Sequence, residues 1–379
     1  MLIYLIKKNI QQYPFGVQFA RIYNRYFKAP GNRPIIQESS KDNTIAPVKA
    51  AMSIDNSSRN NGKTLYAVWD FEVCPITFDF LNFLVICDIE REKRGCEYLQ
   101  IIIIPGPFDG FRDAKIHSMD EKKFRLGSII TPSINLLPSK TKVTMASHRD
   151  EARQLLQIVQ KNEIFPPNYT IDKPVNCYNW RAIRKCYEDG QNLQRFEADV
   201  RSKALIDNWI KANCAGKKIL TFSLRESIYE SDRNSNLEAI KSFVKKVDKS
   251  KFAVVIIRDL DLASEEFKEW SDLGTIDGQI AIWDIRLRQA MYERADLNFF
   301  VNNGPFVMAL FSKNIAYAVF KMITESVFVT STKYFENNGW SIGKDFLGAN
   351  RKQKIYWEDE SEEGFFRALH DMKLVGDKT

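Results

Sequence analysis

The run Tyr98-Leu-Gln-Ile-Ile-Ile-Ile104 leaves a chain few ways to fold. Near-continuous apolar character over so short a length suits a parallel strand covered on both faces. Leu65 to Trp69 reads as an earlier strand, ending at Asp70-Phe-Glu72. Between them Pro75 opens a helix whose apolar face includes Phe80, Phe83, Leu84 and Cys87, and Arg91-Glu-Lys-Arg-Gly95 closes it. Strand, helix and strand in this succession form a βαβ unit, and its right-handed crossover makes the sheet parallel and doubly wound. Further strands are expected at 129–131 and 142–146, with a helix near 150–160.

Residues 161–192 carry Pro166-Pro167, Pro174 and a polar run, which places a boundary there. A helix is expected at 194–213, and then the alternation restarts. Lys218 to Leu224 reads as a strand, 225–235 as a polar loop, Asn236 to Val247 as a helix and Phe252 to Ile257 as a strand. Helical signals follow near 264–270 and 284–295. Phe299 to Val301 is a short apolar strand that breaks at Asn302-Asn-Gly-Pro305, and Phe306 to Phe311 reads as a helix. Apolar runs at 315–322 and 327–330 precede a tail with a strand, Ile355 to Trp357, and a helix over 361–373. The fold class is therefore α/β, with two tandem Rossmann-like doubly wound parallel-sheet domains facing a cleft. The expected divisions are 1–62, 63–165, 166–330 and 331–379, and 379 residues suffice for two sizeable cores.

Residues 1–28 interleave apolar and aromatic side chains with Lys7, Lys8, Arg21, Arg25 and Lys28. Such a segment suits a helix on the body of the protein, or an anionic membrane surface. Its opening apolar run is too short to span a bilayer. The formal charge of +7 is mild, fitting an anionic ligand and too diffuse for nucleic acid. Six cysteines, Cys74, Cys87, Cys96, Cys177, Cys186 and Cys214, form no C-x-x-C pair and read as reduced thiols of a cytosolic protein. His117, His148 and His370 are too dispersed for a triad or a metal site.

Chemistry concentrates in the second half. At 302–305 the chain leaves a strand for a helix; Pro305 suits the first helical turn, and Gly304 permits a sharp bend and close approach. A helix N-terminus so delivered suits a diphosphate. The loop Ser223 to Asn236 supplies Arg225, Arg233, Asn234 and Asn236 at the carboxyl end of its strand, where open α/β sheets bind ligands. The alternative is that the arginines pair with Glu226 or Glu230, and that 234–236 only cap the helix. Asp70 and Glu72 end the first strand of the first half, and Asp109 and Arg112 lie in the glycine- and proline-rich loop after the second, each equally at home as a loop-capping or surface charge. Asp259-Leu-Asp261 follows a strand as a metal–diphosphate motif would, but its place in the second half reads better as loop acids. No G-x-G-x-x-G follows either opening strand, which argues against a dinucleotide oxidoreductase.

Two tandem α/β halves resemble the GT-B fold of glycosyltransferases. Over 215–312 the second half resembles the bacterial heptosyltransferase-like enzymes, through Arg225, Arg233 and Ala295-Asp-Leu-Asn-Phe-Phe-Val-Asn-Asn-Gly-Pro305. Asn302 stands where that family's D-S/T-G-P turn has its acid, Asn303 where it has a small hydroxyl, and its following histidine is absent. These departures leave open a donor other than a heptose nucleotide, and an inactive domain. The resemblance implies metal-independent transfer of a sugar from a nucleotide-sugar to a cell-surface glycan or lipid-linked acceptor, with no further cofactor. It also implies that the acceptor and general base come from the first half, where Asp70, Glu72 and Asp109 are the candidates for the base and Arg112 for holding an anionic acceptor or a phosphate. It implies a cytoplasmic protein, peripheral at the inner membrane face. A nucleotide-sugar epimerase or hydrolase and a non-catalytic binding protein share this architecture.

Overall fold

The computed structural model describes residues 62–108, 110–112, 118–262 and 266–375, so the basic segment 1–28, the linker after it and Asp109 lie outside the described residues. Asn61–Thr379 make one compact unit. Strands β1 (Thr64–Asp70), β2 (Tyr98–Ile104), β3 (Lys140–Met145) and β4 (Ile164–Phe165) form a parallel sheet in the order β3-β2-β1-β4. The second sheet, also parallel, holds β5 (Lys218–Ser223), β6 (Phe252–Ile257), β7 (Ile276–Asp277), β8 (Leu297–Phe300), β9 (Tyr317–Val319) and β10 (Gln353–Ile355). Its order is β10-β9-β8-β5-β6-β7. Counted within that half, this is the 3-2-1-4-5-6 order of a doubly wound sheet, with its winding reversed between β5 and β8.

Alternation along each strand sorts side chains into three apolar layers. Leu65, Ala67 and Trp69 of β1 share one cluster with Ala253, Val255 and Ile257 of β6, so a single core runs through the junction of the halves. The opposite face of the second sheet, with Phe222, Val254 and Phe299, is covered by the helices Leu237–Lys246 and Glu362–Asp371. Val68, Ile102 and Ile104 turn to a smaller cluster with Ala152 of the helix Arg149–Gln157. The helix Asp79–Lys93 is buried from Phe80 through Ile89, so it needs no polar face until its last turn.

Two expectations differ from what is observed. Residues 129–131 are helical, not a strand: Leu126–Ile130 form a π turn continuing the helix Met119–Arg125, and Thr131–Ser133 extend it. Burial of Ile130 and Leu136 in the shared core outweighs the β preference of Ile-Ile-Thr. Within the polar run 161–192 lies a helix, Trp180–Glu188, whose Ile183 and Cys186 are buried. Beyond 330, the strand and helix expected of the tail are present: β10 completes the edge of the second sheet, and Phe365, Ala368 and Leu369 of the helix Glu362–Asp371 enter its core. Among the described residues no helix is long and apolar enough to cross a membrane.

Candidate functional site

The second sheet reverses its winding between β5 and β8, which opens a crevice beyond their carboxyl ends. Both stretches singled out in the sequence arrive there. Asn303 is buried; its Nδ2 donates to Ser223 O at 3.1 Å, and its Oδ1 accepts from Phe306 N at 3.1 Å. One side chain thus ties the end of β5 to the first turn of the helix Phe306–Leu310. Arg233 bridges the loop to the bend: Nη2 donates to Asn302 O at 2.9 Å, while Nη1 pairs with Glu230 Oε2 at 2.6 Å. Its buried Nε has no hydrogen-bond partner.

The other loop residues bind mainly one another. Arg225, 7% exposed, donates to Glu230 O at 2.9 Å, Tyr229 O at 2.5 Å and Asn234 Oδ1 at 2.5 Å. Asn234 also joins both backbone polar groups of Ser227. Asn236 caps the helix Leu237–Lys246 by accepting from Ala239 N at 3.2 Å, and its own amide donates to Glu360 Oε2 at 2.6 Å. Burial pushes the Glu360 carboxyl up to about 7. Lys321 Nζ donates to Asn234 O at 2.8 Å from the loop after β9. Pro305 takes the N-cap position of its helix. The close approach that Gly304 permits is that of the first half: a Cβ there would sit 2.3 Å from Phe78 Cδ2. Asp259 accepts from Leu260 N and Glu226 N, as a loop-capping acid does.

In the first half, the Asp70 carboxylate is fully buried and surrounded by donors. Arg149 Nη1 and Nη2 lie at 2.8 and 3.1 Å, Tyr169 OH at 2.5 Å and Glu72 N at 2.9 Å. Glu72 is exposed and pairs with Arg149 Nη2 at 3.1 Å. Arg112 Nη1 donates to Val73 O at 3.3 Å. Asp79, the first residue of the buried helix, joins the candidates only with the fold in view. This partly buried carboxyl accepts from Thr77 Oγ1 at 2.6 Å, and burial raises its pKa against the lowering effects of Thr77 and Arg112. Burial, with Asp79 next, raises Tyr178 to about 12, and both also raise Tyr334, a residue of the second half. Asp79, next to Phe78 in the chain, thus acts electrostatically on Tyr178 and on Tyr334, and Arg112 acts on both Asp79 and Tyr178. An acid opening a helix just after a strand was the available signal, but Tyr178 and Tyr334 come from segments far away in sequence.

No protein-family model and no curated protein sequence matches the chain. Among solved structures, a glycosyl transferase family 9 protein from Veillonella parvula is similar at TM-score 0.49 and 10% identity, over 82% of this chain and 97% of that one. The wall teichoic acid polymerase TagF is similar at TM-score 0.34 and 8% identity, over 82% and 80%. A putative UDP-N-acetylglucosamine 2-epimerase from Listeria monocytogenes is similar at 0.29 and 10%, over 83% and 88%. The two-sheet α/β architecture is given by the chain's own strand pairings. The chain carries two parallel sheets in tandem, the second of them doubly wound.

Proposed function

We propose that the chain is a glycosyltransferase that moves a sugar from a nucleotide-sugar donor to a glycan or lipid-linked acceptor without a metal ion. The observation that carries this reading is Arg233, which joins the 225–236 loop to the 302–305 bend at the reversal of winding and keeps one N–H unpaired. Turning from Glu230 to a diphosphate, its guanidinium would stabilise the charge that develops on the leaving group. Across the junction, Asp79 is the carboxyl best suited to take the proton of an acceptor hydroxyl. Its raised pKa makes it a stronger base than an exposed carboxylate, and Thr77 holds its orientation. Asp70 serves this role less well, since donors already engage both of its oxygens.

The three bonds that Arg225 makes within its own loop favour a second reading, a non-catalytic binding protein on the same architecture. Thermal-shift and calorimetric titration with nucleoside diphosphates, with and without EDTA, separates the two. Transferase function predicts EDTA-resistant stabilisation by a nucleoside diphosphate, lost in Arg233→Ala. It also predicts that Asp79→Asn keeps that binding and abolishes turnover. Absent or variant-independent shifts would leave the non-catalytic reading.

A further inference from the structure

A cavity of about 120 Å³ lies between the helix Trp180–Glu188 and the loop that follows the helix Thr332–Asn337. Trp180, Trp340 and Phe346 wall it, and Arg184, Ser341 and Lys344 supply its polar lining. The walls hold one another: the Trp180 and Trp340 rings meet edge-to-face at 5.0 Å, and Trp340 tilts against Phe346 at 5.2 Å. Arg184 fixes the facing loop, donating to Gly339 O at 2.7 Å and Ser341 Oγ at 3.2 Å. The cavity is therefore a built feature whose shape does not depend on an occupant.

We infer that this cavity binds one sugar ring of a glycan, as an acceptor subsite beside the Asp79 junction. The inference rests on the transferase reading for its role, but not for its ligand chemistry. Aromatic walls suit the apolar C–H face of a pyranose, and the polar lining suits its hydroxyls. A purely aliphatic occupant would gain nothing from the Lys344 ammonium and the Ser341 hydroxyl. Continuity with the candidate site is direct in the chain. Trp180 comes two residues after Tyr178, and Trp340 comes six after Tyr334, the two tyrosines that Asp79 influences.

Saturation-transfer NMR on the full chain, with chitotriose, cellotriose, maltotriose and mannotriose as probes, tests this. At least one probe should receive saturation on the C–H protons of a single ring. Trp340→Ala should weaken that probe by about tenfold, the scale of one lost ring contact. Because Trp340 also packs on Phe335, the exposed pair Lys344→Ala and Ser341→Ala provides a second variant set that spares the core. Either no signal from any probe, or signals unchanged in all variants, would overturn the inference. Titrating a nucleoside diphosphate in the same samples separates the two ideas. Diphosphate binding without sugar binding sinks the cavity alone, and the converse sinks the transferase reading alone.

Discussion

Four donors from three segments converge on Asp70, and only one of them, Glu72 N, is near it in sequence. Arg149 is 79 residues away and Tyr169 is 99. A carboxylate held this way is a cross-brace for the first sheet, and neutralising it leaves a partly buried guanidinium with the exposed Glu72 as its remaining counter-charge. Asp70→Asn should therefore cost about 3 kcal/mol, read as a lower midpoint in urea at unchanged slope. Gly304 makes an equally specific demand. Gly304→Ala pushes a methyl group into the Phe78 ring and should cost about 1–3 kcal/mol, the scale of overpacking. Phe78→Ala should cancel most of that cost in the double variant, because the two changes share one contact. A strand-end acid and a glycine before a proline are visible in any sequence; what they touch is not. Both were therefore legible as special positions, while their partners, Arg149 and Phe78, needed the fold.

Two elements of the second half meet at Glu360, which precedes the helix Glu362–Asp371 and accepts from the residue capping the helix Leu237–Lys246. Burial raises this carboxyl to about 7; Lys321 opposes the rise and Asp359 adds to it. A folded-state value above the unfolded one means that its contribution is complete below about 4.5 and is lost as pH rises through about 7. The size of the loss is about 3 kcal/mol at 1.36 per unit. Glu360→Gln keeps the acceptor without the charge, so it should match the wild type near pH 4.5 and exceed it in stability at pH 8. Parallel urea titrations across that range check the sign. At this scale the strands were read well, since β2 spans the very residues of its apolar run. The helix Trp180–Glu188 was not, because arginines and lysines between its buried residues hide the spacing. Short β7 and β4, two residues each, carry too little pattern to be seen without their neighbours.

At the scale of the molecule, the two halves share a core. The second-half side of the candidate site was legible because loop and bend follow adjacent strands, β5 and β8, of one sheet. The junction around Asp79 was not, because it is assembled from loops after β1 and β2, the segment before Trp180 and a helix beyond β9. A common core also decides how the molecule comes apart. Ile101 of β2 and Val255 of β6 are both fully buried members of the same cluster, one from each sheet. If the halves were independent domains, truncating each residue would lower only its own transition. A shared core instead couples them, and loss of either side exposes the other. Ile101→Ala should cost about 3 kcal/mol and Val255→Ala somewhat less, by the usual scale of core truncation. Both should move one common calorimetric transition whose van't Hoff and calorimetric enthalpies agree. Two separable transitions, each shifted by only one variant, would show that the junction opens before the sheets unfold. The Phe78–Gly304 contact would then act as a latch between closed and open forms rather than as part of the core.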